Sequence, residues 1–192
     1  RDSLDTTARE MVTDLYQRFV KDGERVLDLM SSWTSHLPEK RRPASVSGLG
    51  MNRAELEQNP RLTDFRVHDL NDNPRLPYTD GSFDVVLCTV SVEYLKRPLD
   101  VFADVARVLK PGGVFVVTFS NRWFPPKVVR IWEQIHEFER IGLVTEYFLR
   151  SGFFKDLGTW SMRGLPRPDG DKYARELAFS DPVYAVWGTS KS

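Results

Sequence analysis

Apolar and polar positions along this chain switch repeatedly between a period near 3.6 and short apolar runs. Met11, Leu15 and Phe19 fall at i, i+4 and i+8 and predict an amphipathic helix over residues 6–20. Arg25–Leu29, Ser45–Leu49 and the alternating Asp64–His68 read as strands, with a short helix over Arg53–Gln58. Pro74–Ser82 is a turn-rich loop ending in Asp80-Gly81, and Phe83–Cys88 is a fourth strand. Leu99–Leu109 predicts a helix with Phe102, Val105, Ala106 and Leu109 on its inner stripe. Lys110-Pro111-Gly112-Gly113 then predicts a tight turn, because proline stops a helix and glycine supplies a positive φ. Val114–Phe119 is a fifth strand and Val128–Arg150 a long helix. Phe153–Met162 and Val183–Gly188 read as closing strands, joined by the Pro/Gly-rich loop Gly164–Asp171.

Val85-Val86-Leu87 and Val114–Phe119 are apolar on both faces, so both faces must be covered. Strands alternating with helices at this spacing predict βαβ units in an α/β fold, with a mostly parallel sheet and helices on both sides. No repeat, low-complexity stretch or linker divides the chain. One domain is therefore expected over residues 1–192, with an N-terminal helix at 6–20, a core at 25–121 and a closing helix and strands at 128–188. Ligands of such sheets lie beyond the carboxyl ends of the strands, which directs attention to the turns there.

Composition narrows the choice of partner. The 192 residues are 41% hydrophobic, enough for a real core, and 27 basic residues balance 27 acidic ones. The densest basic block is Lys40-Arg41-Arg42, so neither a nucleic acid nor an anionic membrane is an expected partner. A single cysteine, Cys88, excludes internal disulfides and multi-cysteine zinc sites; it is expected to be a buried, inert thiol, and no metal site is expected. No apolar run approaches the roughly 20 residues of a membrane span, and no cleavable signal is visible. The chain begins with Arg1 and not Met, which suggests a trimmed or processed start; the expected compartment is cytoplasmic or an organelle matrix.

Four turns follow the first four strands: Asp28-Leu29-Met30-Ser31-Ser32-Trp33, Leu49-Gly50-Met51-Asn52, His68-Asp69-Leu70 and Cys88-Thr89-Val90-Ser91. Taken with VLDL (26–29), VSGLG (46–50), VHDL (67–70), LPYTDGSFDVVLCTVSVEYL (76–95) and VARVLKPGGVFVVTFSN (105–121), the chain resembles the class I S-adenosylmethionine-dependent methyltransferases of the type 11 group. The resemblance covers residues 25–121 and rests on motifs that match in order and at the expected distance. It implies a Rossmann-like, seven-stranded, mostly parallel sheet with the last strand antiparallel, and S-adenosyl-L-methionine as cofactor. By position it places Asp28 beside the methionine portion of the cofactor. It places Asp69 at the adenine amino group with Leu70 against the ring, and Thr89 and Val90 where their carbonyls meet the ammonium end.

Two departures from the family pattern fall in the same region. The Gly-x-Gly-x-Gly positions are Met30, Ser32 and Thr34, and the ribose-binding acid position is Gly50. Ser31 and Ser32 carry hydroxyls that could donate to a carboxylate, Trp33 could wall the site, and Asn52 could reach the ribose in place of the acid. The cofactor-binding set expected here is therefore Asp28, Leu29, Met30, Ser31, Ser32, Trp33, Leu49, Gly50, Met51, Asn52, Asp69, Leu70, Thr89 and Val90. Two other readings stay open: an inactive methyltransferase fold acting as a binding or scaffold partner, and a pocket for another nucleotide-like ligand. No Gly-x-Gly-x-x-Gly follows the first strand and no Gly-x-x-x-x-Gly-Lys-Ser/Thr loop occurs, which argues against nicotinamide and ATP cofactors.

Methyl transfer needs a base only when the acceptor must lose a proton. His36 and Tyr94 are the candidates, each with a bland alternative in capping or packing; Glu93 reads more simply as a solvated charge. Trp123, Phe124, Pro125 and Pro126 follow the fifth strand, where the resemblance implies an acceptor pocket; Trp132, His136, Phe138 and Tyr147 fall on the long helix and read more simply as core packing. An aromatic-rich region without an inserted domain points to a small-molecule acceptor.

Overall fold

A computed structural model describes residues 4–120, 137–162 and 182–191. The first helix, α1, spans Thr6–Tyr16 and is capped by the Asp5 carboxylate, which accepts from the Ala8 amide at 2.8 Å. It is shorter than the periodicity predicts. Residues 17–20 instead form tight turns, with the Phe19 ring 5.1 Å from that of Trp187. A contact more than 160 residues away in sequence thus competes with the local helical pattern.

The strands are β1 (Arg25–Leu29), β2 (Ser45–Gly50), β3 (Asp64–Val67), β4 (Phe83–Thr89), β5 (Leu109–Phe119), β6 (Phe154–Met162) and β7 (Val183–Ser190). Between them lie α2 (Arg53–Gln58), α3 (Pro98–Val108), which opens on proline at its first turn, and α4 (Glu137–Ser151). The order across the sheet is β3-β2-β1-β4-β5-β7-β6. Strands β1 to β5 pair in parallel, and β7 runs antiparallel to both β5 and β6. This is the mostly parallel α/β architecture expected from the sequence, with its antiparallel closing strand.

Lys110-Pro111-Gly112-Gly113, expected as a turn ahead of the strand, lies inside β5. Leu109 already pairs with Phe83, and the register then shifts so that Val114 pairs with Val85. The four residues form a bulge, with Gly112 at φ 81°. The first half of the helix expected at 128–150, the loop at 164–171, and residues 123–126, 132 and 136 lie outside the described residues.

Alternation along the strands divides the core in two. Leu27, Val86, Cys88, Phe115 and Val117 face α3 and α4, where Phe102 sits 4.9 Å from both Phe115 and Phe148. Val26, Val85, Leu87 and Val116 face α1. Cys88 is fully buried and burial pushes its thiol up to about 12, which makes it inert at neutral pH. Among the described residues no helix is long and apolar enough to cross a membrane.

Candidate active site

Parallel pairing aligns the ends of β1, β2 and β4. Leu29 lies opposite Leu49 on one side and Cys88 on the other. The turns after β1 to β4 consequently open onto one cleft of about 1210 Å³ at the carboxyl edge of the sheet. Asp28, Met30, Ser31, Ser32, Leu49, Gly50, Met51, Asn52, Asp69, Leu70, Thr89, Val90, His36 and Tyr94 line it. Leu29 and Trp33 do not. Leu29 is fully buried in the core beneath, and Trp33 is 38% exposed outside the cleft. Period-two alternation explains Leu29: the neighbour of a rim residue points to the opposite face.

Asp28 anchors the turn after β1. Its Oδ2 accepts from the Ser31 and Ser35 hydroxyls, each at 2.6 Å, and Ser35 Oγ accepts from Asn59 Nδ2 at 2.9 Å. Asn59 Nδ2 also donates to the Ser32 carbonyl at 2.9 Å. Ser31, expected to face a ligand carboxylate, therefore holds the loop by giving its hydroxyl to Asp28, while Ser32 lines the cleft. Burial still dominates over these two donors and pushes the Asp28 carboxyl up to about 6.

Gly50 has a steric cause. A Cβ at this position would overlap the Ser31 carbonyl oxygen, and the Ser31 amide donates to the Leu49 carbonyl at 2.7 Å. The turn after β1 lies directly on the end of β2, so position 50 has no room for an acid. The loss of the glycine-rich turn and the loss of the acid are one packing arrangement. Asn52 caps α2, its Oδ1 accepting from the Glu55 amide at 3.2 Å, and the Glu55 side chain joins the cleft lining one turn further on.

Asp69 Oδ1 accepts from the Asn71 amide at 2.9 Å, and Asn71 Nδ2 donates to the Tyr94 carbonyl at 2.9 Å, tying the turn after β3 to that after β4. Thr89 Oγ1 lies 2.6 Å from the Tyr16 hydroxyl, which also reaches Thr118 Oγ1 at 3.1 Å. Met30, His36 and Val90 have φ of 58°, 53° and 52°, and all three line the cleft. A left-handed backbone at non-glycine residues, one of them β-branched, marks a site held by its surroundings.

Some lining residues lie outside the expected cofactor-binding set. Leu4, Thr34, Arg53, Ala54, Glu55, His68, Asn71, Ser91 and Lys96 complete the cleft. His68 and Ser91 belong to the predicted turns, Asn71 adjoins one, and Glu55 lies three residues after Asn52, the interval of an N-terminal helical turn. Glu93, read from sequence as a solvated charge, is 2% exposed, and neither carboxylate oxygen has a hydrogen-bond partner. Burial pushes it up to about 7 against the opposing pull of Arg140.

Residues 36–117 match the methyltransferase-domain family. The methyltransferase GfsG of Streptomyces halstedii is 31% identical over 125 residues, 58% of this chain and 44% of that protein. The fatty-acid O-methyltransferase of Mycolicibacterium smegmatis is 37% identical over 122 residues, 59% of this chain and 42% of that protein. The chain thus spans less than half the length of these curated relatives. A SAM-dependent methyltransferase from Aquifex aeolicus superposes with a TM-score of 0.60 at 16% identity, covering 98% of this chain and 90% of the other. The strand order, the cleft at the strand ends and the structural likeness give this chain the Rossmann-like fold of the class I methyltransferases, and its residues 36–117 are similar to the methyltransferase-domain family.

Proposed function

We propose that the protein binds S-adenosyl-L-methionine in the cleft at the carboxyl ends of β1 to β4 and methylates a small-molecule acceptor. The observation that carries this reading is the open cleft of about 1210 Å³, which holds Asp28 and Asp69 at the two positions the family resemblance singles out. Its size exceeds that of an ordinary small-ligand pocket and leaves room for an acceptor beside a nucleoside-sized group. The cavity itself lends the reading as an inactive fold no support, because Trp33 lies outside the cleft and Met30 is one of the residues lining its open space.

The residues present fit the cofactor. Asp28, with the Thr89 and Val90 carbonyls, offers negative charge to an ammonium group. Asn52 and Glu55 offer polar atoms to ribose hydroxyls at the edge where Gly50 cannot. Asp69 has its Oδ2 outside the Asn71 turn bond and suits an adenine amino group, with Leu70 against the ring. When bound, S-adenosyl-L-methionine supplies an activated methyl group on a positively charged sulfur. The chain's own contribution is orientation and exclusion of water, worth roughly 7–11 kcal/mol in favourable intramolecular systems. His36 and Tyr94 line the cleft and could take a proton from an acceptor that must lose one. The fatty-acid O-methyltransferase relative favours a small acceptor with an apolar body.

Calorimetric titration of the protein with S-adenosylhomocysteine tests the reading. Saturable one-to-one binding is expected, and an absence of heat together with an unshifted melting temperature at millimolar ligand would reject it.

A further inference from the structure

Lys40-Arg41-Arg42, the densest basic block of the chain, takes no part in the cleft. Arg41 and Arg42 lie on the loop leading into β2, and Arg61 lies between α2 and β3. The three converge on a second pocket of about 330 Å³, also lined by Glu39, Pro43, Val46 and Thr63. Val46 is the second residue of β2 and Thr63 immediately precedes β3, so this pocket sits at the amino ends of the strands. The cleft lies at their opposite ends.

The loop that carries the arginines is fixed. The Arg42 amide donates to the Asp22 carboxylate at 2.7 Å, the Gly23 amide to the Arg42 carbonyl at 2.9 Å, and the Ala44 amide to the Glu24 carbonyl at 2.8 Å. Each guanidinium has five donors, yet their protein bonds are few and go only to backbone carbonyls. Arg41 Nη2 reaches Gln17 at 3.2 Å, Arg42 Nη1 reaches Glu39 at 3.4 Å, and Arg61 Nη1 reaches Leu37 and Pro38 at 3.4 Å. Arg41 Nε is buried with no partner at all. Among the described residues no carboxylate forms an ion pair with any of the three.

Guanidiniums gathered at one pocket with spare donors and an orphaned buried N–H call for an oxyanion. We propose that this pocket binds a single phosphoryl group, as free phosphate or as a small phosphate monoester. The planar fork of arginine matches phosphate oxygens in pairs, and arginines alone supply the positive charge of the pocket wall. Glu39 on the same wall disfavours an extended polyanion, as does the zero net charge of the chain. One compact dianion remains as the occupant.

Titration of the full chain with inorganic phosphate and with glycerol 3-phosphate, followed by ³¹P NMR and calorimetry, tests the proposal. Saturable binding is expected that Arg61→Ala and Arg41→Ala each weaken about tenfold or more. Arg61→Lys, which retains the charge and loses the fork, should recover only part of it. Tighter binding of the ester would assign the site to phosphate esters, and equal affinity to free phosphate. The proposal is overturned if no saturation occurs, if the arginine variants bind as the parent does, or if S-adenosylhomocysteine displaces the phosphate, since the anion would then occupy the cleft. Melting curves of each variant show whether it is folded, and Arg61→Lys serves if an alanine variant is not.

Discussion

At the amino ends of β4 and β5, left-handed backbone is assigned to glycine. Gly81 precedes β4 and Gly112 sits in the bulge of β5, at φ 63° and 81°, and an added Cβ would meet nothing within 4 Å at either. At the carboxyl end the left-handed residues are Met30, His36 and Val90, all on the cleft wall. Such conformations cost about 1–3 kcal/mol each and persist only where neighbours over-determine them. The same contrast holds for charge. The arginines at the amino end bond to carbonyls at the surface, whereas Asp28 and Glu93 at the carboxyl end are buried carboxyls. The turn geometry at one end connects strands, and at the other it shapes a surface.

The sharpest way to break this comparison is to restore the acid that the family resemblance leads one to expect. Gly50→Asp should lower stability by about 3 kcal/mol in chemical denaturation and abolish S-adenosylhomocysteine binding, because its Cβ would overlap the Ser31 carbonyl. A gain in affinity would show that the turn after β1 can move aside. Asp69→Asn keeps an oxygen for the Asn71 amide and so keeps the turn, but removes the carboxylate. Calorimetry should show an affinity loss of about tenfold with an unchanged melting temperature.

Glu93 gives a pH test. Its folded pKa of about 7 lies above the ordinary 4.5, so the folded state binds the proton more tightly than the unfolded chain. Stability from this group is full below about pH 4.5 and is lost as pH rises through 7. Relative to Glu93→Gln, the parent should therefore lose about 2 kcal/mol between pH 5 and 8 in urea titrations. A difference that does not change with pH would mean that Arg140 holds the carboxylate ionised throughout. The smallest effect belongs to the amino end. Gly112→Ala should cost about 1 kcal/mol from its left-handed φ and leave S-adenosylhomocysteine affinity untouched. A change in affinity there would couple the two ends of the sheet and blur the contrast between them.

Much of the fold was legible because it is written in local periodicity. β1 and α2 begin and end where the pattern places them, and the two-faced apolar runs of β4 and β5 are covered on both sides. Departures occur where a distant contact overrides a local preference. The pairing of Phe19 with Trp187 shortens α1, and the pairing of Leu109 with Phe83 turns an expected reversal into a bulge. At the cleft, the strand-end rule located the turns but not the direction of each side chain. Leu29 turns into the core and Trp33 turns outward, while Glu55 enters from a helix whose short pattern carried no hint of it. Glu93 reads as a surface charge in sequence, since nothing local reveals that it becomes buried near α4 and Arg140.

The sequence by itself determined the order of strands and helices, the two-sided core and the edge of the sheet where chemistry belongs, because each follows from side-chain period and turn chemistry within a few residues. Only the tertiary structure decided that position 50 must be glycine, that Ser31 and Ser35 brace Asp28, and that Arg61 joins Arg41 and Arg42 at one pocket. These depend on which turns meet across parallel strands, and such encounters are fixed by the packing of the whole sheet.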